Sequence, residues 1–339
     1  MKRVAGLFDQ IHQLCNLRAA TARAMRGKRN RAEVREFLES LDDNLAALSL
    51  GIREGALPLG RFNQFVIHDP KERLISAPCF RERVLHHAVM NVCEPVLESF
   101  AISDSYACRI GGGQFAALAR ARHFSRRYRF FLKLDVRKYF ESIPKECLIS
   151  KMERRFRERR LIDLLANIVH SFEPERSRGL PIGSLTSQHF ANFYLGYLDR
   201  FAKEQLQIRG YVRYMDDFVL WHNDRSLLRT AAGRIAGFAE DELGLSLKPA
   251  LINPVVLGME FLGHRVYPEG NRLNRRSRRR YRDRVMGIER RLDCGEISER
   301  EAQARLDAAT AFTKMASCKR WRRHLLFGGG QPPETAPTA

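Results

Sequence analysis

Apolar positions recur at helical spacing through residues 1–57, with Leu38, Leu41, Leu45 and Leu48 along one face. The basic run Arg26-Gly27-Lys28-Arg29-Asn30-Arg31 interrupts that helical region. From 61 to 78 the pattern changes to two β-type runs, Phe65-Val66-Ile67 and Arg73-Leu74-Ile75, around His68-Asp69-Pro70-Lys71-Glu72, which predicts a hairpin. Val84, His87, Ala88, Val92 and Val96 then predict a helix, and residues 130–136 a buried strand with Asp135 near its end. Helical segments over 144–171 and 185–206 are separated by a break at Gly179-Leu180-Pro181-Ile182-Gly183. A second hairpin is predicted from Gly210-Tyr211-Val212-Arg213 and Phe218-Val219-Leu220-Trp221, with Tyr214-Met215-Asp216-Asp217 at its tip. An amphipathic helix over 225–243, strands at 245–248 and 259–266, and basic helices over 272–326 follow. The Gly/Pro/Thr-rich residues 328–339 are expected to be disordered. Strand, helices, hairpin, helix and strands in this order predict an α+β fold, with a mostly antiparallel sheet and helices on one face.

Charge narrows the partners. The 339 residues carry 59 Lys+Arg against 39 Asp+Glu, a formal charge of +20. An excess of this size points to a polyanion, nucleic acid before an anionic membrane. No apolar run approaches the roughly 20 residues that span a bilayer, and the N-terminal stretch lacks a signal-peptide apolar block. Seven cysteines are scattered without a Cys-x-x-Cys pair, and no zinc-type His spacing occurs, so buried thiols in a reducing cytoplasm are expected.

Against this basic background Asp216-Asp217 stands out. Adjacent carboxylates repel unless a cation lies between them. An Asp-rich hairpin turn is the plainer explanation of these two residues taken alone. Asp135, which could equally cap the next helix, supplies a third carboxylate at a neighbouring strand end. Three carboxylates so placed can hold two Mg²⁺ ions roughly 4 Å apart, and oxygen ligands suit that ion. From Arg272 to Arg291 there are ten arginines, including Arg278-Arg279-Arg280, either a solvated helix face or a phosphate-binding one.

Lys133-Leu134-Asp135 with Tyr139-Phe140, and Tyr214-Met215-Asp216-Asp217 further on, resemble motifs A and C of reverse transcriptases. Residues 179–192 resemble motif B, Leu247-Lys248 motif D, and Phe261-Leu262-Gly263 motif E, the primer grip. The likeness runs from about Phe65 to Val266. It implies a right-hand polymerase: a helical extension at 1–60, fingers at 61–130, an antiparallel-sheet palm at 131–266 (with helices of 144–180 inserted), and a basic helical thumb at 267–327. Ile182-Gly183-Ser184-Leu185-Thr186-Ser187-Gln188, Ser105-Tyr106-Ala107-Cys108-Arg109 and the size of a bare polymerase resemble diversity-generating retroelements within the group II intron-like lineage. Enzymes of that group copy a template-repeat RNA into cDNA mutated at template adenines.

The resemblance assigns roles residue by residue. Asp135, Asp216 and Asp217, with the Val136 carbonyl, would hold two Mg²⁺ ions, and Lys248 would protonate pyrophosphate. Lys71, Arg73 and Arg83 would contact the dNTP triphosphate, and Phe140 would exclude a ribose 2′-OH. Ile182, Gly183, Gln188, Tyr214 and Met215 complete the nucleotide pocket. Ile182 replaces a polar Gln, which predicts weaker discrimination. Phe261, Leu262 and Gly263, with Arg275, Arg276, Arg278, Arg279, Arg280 and Arg282, would hold the RNA–cDNA duplex. A small basic oligomeric accessory protein is implied as partner, met by acidic residues such as Glu36, Glu39, Asp42 and Asp43 or through RNA. A cytoplasmic bacterial, archaeal or phage setting follows from the same resemblance. A retron or phage-defence polymerase, or a non-catalytic RNA-binding scaffold, are the competing readings.

Overall fold

The computed structural model describes residues 3–68, 72–173 and 177–327. Lys71 and the tail 328–339 therefore lie outside the described residues.

The predicted N-terminal helical region consists of α1 (Phe8–Ile11), α2 (Leu14–Ala24), α3 (Ala32–Glu39) and α4 (Leu41–Glu54). The basic run forms the turn between α2 and α3. Leu38 and Leu41 do not share a helix, because the chain breaks at Ser40 (φ −120°, ψ 46°). Strands β1 (Phe62–Ile67) and β2 (Arg73–Pro78) form the expected hairpin, with Phe65 opposite Ile75. Helices α5 (Phe80–Glu98) and α6 (Gln114–Arg127) follow, then β3 (Phe130–Asp135). The helical stretch after it divides into α7 (Tyr139–Ser142), α8 (Lys145–Glu153) and α9 (Arg159–His170). Fully buried Phe156 occupies the gap between α8 and α9, and bridges to Val4 near the N-terminus. Helix α10 (Leu185–Arg200) continues into a π-helical turn, Phe201–Gln205.

Strands β4 (Gly210–Tyr214) and β5 (Asp217–His222) form the acidic hairpin. After α11 (Arg225–Leu243) come β6 (Leu251–Pro254), β7 (Met259–Phe261), β8 (His264–Val266) and β9 (Asn271–Leu273). The strand expected at 245–248 is a single bridge, Val136 with Leu247. Pro249 has no N–H to extend that ladder. The strand expected at 259–266 is a hairpin that turns at Leu262-Gly263, both in the left-handed region at φ 48° and 77°. The C-terminal basic region contains α12 (Arg275–Asp293), α13 (Glu299–Ala311) and α14 (Lys319–Phe327).

The central sheet has the antiparallel order β4-β5-β3-β6. Buried residues of α1–α5 and α8–α11 share one apolar cluster with Leu132, Leu134, Phe218 and Leu220 of that sheet. The opposite side of the sheet is also covered. Phe131, Val219 and Trp221 pack with Leu118 and Phe124 of α6 and with Met259 and Phe261 of β7. The alternation of β3 and β5 therefore separates two apolar layers rather than core from water. Among the described residues no helix is long and apolar enough to cross a membrane. The cysteines are all free thiols; Cys93 and Cys318 are buried as expected, but Cys15 and Cys294 are exposed.

Candidate active site

Register brings the carboxylates together. In the β3–β5 ladder Asp135 lies opposite Asp217, and Asp217 is in turn opposite Tyr214. Asp216 sits in the two-residue tip between them. Met215, the other tip residue, is held at φ 54°. A non-glycine residue in that region costs roughly 1–2 kcal/mol, so its surroundings must impose it.

Each flanking aspartate has a lysine partner. Lys248 Nζ is 2.7 Å from Asp135 Oδ2, and Lys133 Nζ is 3.1 Å from Asp217 Oδ2. Lys133 also donates to the Glu260 carbonyl at 2.6 Å, which ties the acidic site to β7. The second oxygens, Asp135 Oδ1 and Asp217 Oδ1, are buried with no hydrogen-bond partner. Burial, reinforced by Asp135, raises the pKa of Asp216, while Lys248 and Arg73 oppose the rise. Burial pushes Asp217 up to about 6 despite Lys133, with Asp135 and Asp216 adding to the rise. Two buried, partnerless anionic oxygens and two raised carboxyls describe a site short of positive charge. The donor chemistry suits a divalent oxygen-seeking ion: Asp135, Asp216 and Asp217, with the Val136 carbonyl beside them. Among the described residues no three His, Cys, Asp or Glu side chains converge as a ready-made ion cage. Asp135 and Asp217 each direct one oxygen at an ammonium instead.

The motif-B turn docks against the first hairpin. The Ser76 N–H donates to the Ile182 carbonyl at 2.8 Å. Gly183, at φ +114°, could not carry a Cβ, which would meet Ile75 Cγ2 at 2.7 Å. Ser184 and Thr186 hydroxyls lie 3.1 and 3.5 Å from Nδ1 of buried His86, whose pKa is held down to about 3, chiefly by burial. Ile182 is half-buried and Gln188 exposed. Arg73 at the start of β2 is exposed and acts electrostatically on Asp216. On α5 the charge of Arg83 acts on His86 and His87. Phe140 is half-buried and meets Tyr139 edge-on, with ring centroids 5.7 Å apart.

Phe261 is buried, and the Leu262 carbonyl accepts from Gln114 Nε2 on α6 at 2.9 Å. Gly263 abuts α12 and the turn that follows α13: a Cβ there would meet Ser277 Oγ at 2.8 Å and Phe312 at 2.9 Å. Helix α12 is capped by Asn274, whose Oδ1 accepts from the Ser277 N–H. It buries only Ser277, Tyr281 and Val285, one narrow stripe. Arg275, Arg276 and Arg279 are exposed, whereas Arg278, Arg280 and Arg282 are half-buried.

Arg213 is the residue that sequence reading missed. It is fully buried and ion-paired with Asp199 of α10, also fully buried. Its Nε and Nη2 donate to the two Asp199 oxygens, each at 2.6 Å. Its Nη1 donates to Asn192 Oδ1 at 2.8 Å and to the Met215 carbonyl at 2.9 Å. Nη2 also reaches the Asn192 carbonyl at 3.1 Å, so all five guanidinium donors are used. The signal was a charge in the middle of a buried strand, which needs an opposite charge nearby.

A family model described as reverse transcriptase (RNA-dependent DNA polymerase) matches residues 68–266. Among curated proteins, Protein YkfC of Escherichia coli is 24% identical over 247 residues, covering 60% of this chain and 65% of that protein. The mitochondrial protein ymf11 of Marchantia polymorpha is 26% identical over 159 residues, covering 45% of this chain and 21% of its own length. A 91 kDa protein in the cob intron of Schizosaccharomyces pombe is 25% identical over 129 residues, covering 36% and 16% respectively. The chain thus spans 16% to 65% of the length of the curated relatives it matches. Among solved structures, apo telomerase from Candida Tropicalis aligns at TM-score 0.51 and 11% identity, over 84% of this chain and 66% of that one. A form truncated from its C-terminal domain aligns at 0.51 and 12%, over 64% and 55%.

Proposed function

The chain belongs to the reverse transcriptase (RNA-dependent DNA polymerase) family, and from that premise we propose that it extends a primer along RNA at the acidic turn. Its fold is the right-hand polymerase, with the antiparallel β4-β5-β3-β6 sheet as the palm. The observation that carries the reading is the register that sets Asp135 opposite Asp217, next to Asp216 in the hairpin tip, with two buried carboxylate oxygens lacking partners. Asp135, Asp216, Asp217 and the Val136 carbonyl would hold divalent ions, Mg²⁺ by ligand type. Bound there, such ions supply activation of the primer 3′-hydroxyl and neutralise the triphosphate.

The chain's own residues do the rest. Arg73, on the hairpin beside the acidic turn, offers a fork to the dNTP triphosphate, where bidentate geometry favours arginine over lysine. Lys248, 2.7 Å from Asp135, would give a proton to departing pyrophosphate. Phe140 stands against the sugar, and Gly183 lets the motif-B turn lie close to the hairpin. Phe261, Leu262 and Gly263 seat the primer, while the exposed arginines of α12 hold phosphates without reading sequence. Replacing Asp216 or Asp217 by Ala should abolish dNTP incorporation in a folded protein; full retained activity refutes the mechanism.

The finer reading is a diversity-generating retroelement enzyme acting on a template-repeat RNA. Its support is the Ile182-Gly183-Ser184-Leu185-Thr186-Ser187-Gln188 segment. Ile182 supplies shape without a polar handle, so wrong geometry at template adenines is less penalised. Ile182→Gln should lower misincorporation opposite adenine in sequenced cDNA; an unchanged error spectrum removes Ile182 from that role.

A further inference from the structure

We propose that Arg213 is the positioning residue that couples the nucleotide-facing turn to the metal-holding turn, through α10. This rests on the polymerase reading above and adds the part that aims the carboxylates. The physical link is short. The motif-B segment opens α10 at Leu185. Asn192 and Asp199, further along the same helix, hold one side of the Arg213 fork. The remaining Nη1 donor holds the carbonyl of Met215, directly before Asp216. Tyr139, four residues after Asp135, donates to the Ala191 carbonyl at 2.5 Å, so the Asp135 loop rests on the same helix.

The geometry calls for a guanidinium. One planar group must grip a carboxylate, an amide oxygen and two carbonyls at once. A lysine ammonium has three donors in a tetrahedral arrangement and cannot reproduce that fork. The left-handed φ of Met215 gives the tether its purpose. A residue held in a disfavoured conformation stays there only while its neighbours impose it. Freeing the Met215 carbonyl lets the tip relax, and Asp216 turns away from Asp135 and Asp217. At the other end, Ser76 clasps the Ile182 carbonyl, so a shift of the hairpin on nucleotide binding has a rigid path to the acidic tip. The residue types on α10 thereby acquire a second role beside packing.

The test uses the full chain and two readouts. Mn²⁺ binding is followed by electron paramagnetic resonance, and single-turnover primer extension is measured on a defined RNA template. In Arg213→Lys and Asn192→Ala, we expect the half-saturating Mn²⁺ concentration to rise roughly fivefold and the extension rate to fall roughly tenfold, with dNTP KM within about threefold. A role limited to fold stability would lower the melting temperature and leave these ratios unmoved. Rates and Mn²⁺ affinity within twofold of the parent in both variants overturn the proposal. Should Arg213→Lys fail to fold, Asn192→Ala decides alone, since Arg213 keeps Asp199. If the parent binds Mn²⁺ through Asp216 and Asp217 but extends no primer, the polymerase reading fails while the Mn²⁺ arm still judges Arg213. Mn²⁺ binding unaffected by Asp216→Ala and Asp217→Ala overturns both.

Discussion

Asp217→Asn should flatten the dependence of stability on pH in metal-free buffer. In the folded chain burial raises the Asp217 carboxyl from 3.8 to about 6. The folded state therefore holds this proton more tightly than the unfolded state does. Below about pH 4 both states are protonated and the group contributes nothing. As pH rises from 4 to 6 the unfolded chain releases its proton first, so stability falls. Above 6 the full penalty persists, since the folded chain then carries a buried anion. At about 1.4 kcal/mol per pH unit the rise corresponds to roughly 3 kcal/mol. The side chain remains 25% exposed, which makes that figure an upper one. It is a large share of a typical folding free energy of about 5–15 kcal/mol. The assay is urea unfolding with chelator at pH 4.5 to 7.5, followed through fluorescence of fully buried Trp221. The parent should lose stability across this range relative to Asp217→Asn, and Asp216, also raised, should leave the variant a smaller slope. Parallel curves for parent and variant would refute a raised, buried Asp217.

Three further outcomes are expected. Gly183→Ala should cost about 1–3 kcal/mol in unfolding experiments, since its Cβ would overlap Ile75 and its φ of +114° is disfavoured for alanine. Asp199→Asn should destabilise by roughly 3–5 kcal/mol by leaving Arg213 buried without its counter-charge; in a double-mutant cycle, adding Arg213→Met should recover part of that loss, and simple additivity would contradict the pairing. Replacing Arg275, Arg276 and Arg279 by Gln should weaken duplex binding and lower the slope of log K against log salt by about 1 for each phosphate no longer neutralised, with no change in sequence preference.

Short β-type runs were enough to put Asp135, Asp216 and Asp217 at strand ends. A hairpin with an acidic tip beside a strand ending in Asp leaves few registers, and the one found sets Asp135 opposite Asp217. What resisted reading is long-range. Leu38 and Leu41 keep helical spacing across the break at Ser40, so periodicity ran two helices together. The segment 245–248 has strand composition, yet Val136 alone offers it a partner before Pro249 ends the pairing. Nine arginines marked α12 as basic, but its narrow buried stripe, repeating every fourth residue from Ser277, was hidden among them. Arg213 and Asp199 are far enough apart in sequence that nothing local joins them, and each alone looks like a flaw in an apolar run.

The way the apolar side chains are shared also decides where the molecule opens. Phe8, Leu17, Leu45 and Ile52 belong to the same cluster as Leu134 and Phe218, which flank the acidic strand ends. The first helices are therefore part of one cooperative unit with the central sheet, and removing them would strip its floor. Beyond β8 the picture changes. Leu273 with Cys318, and Tyr281 with Val285 and Ala309, form two small clusters of their own. Amide hydrogens of α12 and α13 should exchange faster than those of α2 and α5, through openings that leave the acidic tip intact. Under the proposed function, the clamp for a long duplex would thus be the element that can yield, while the acidic tip stays shut.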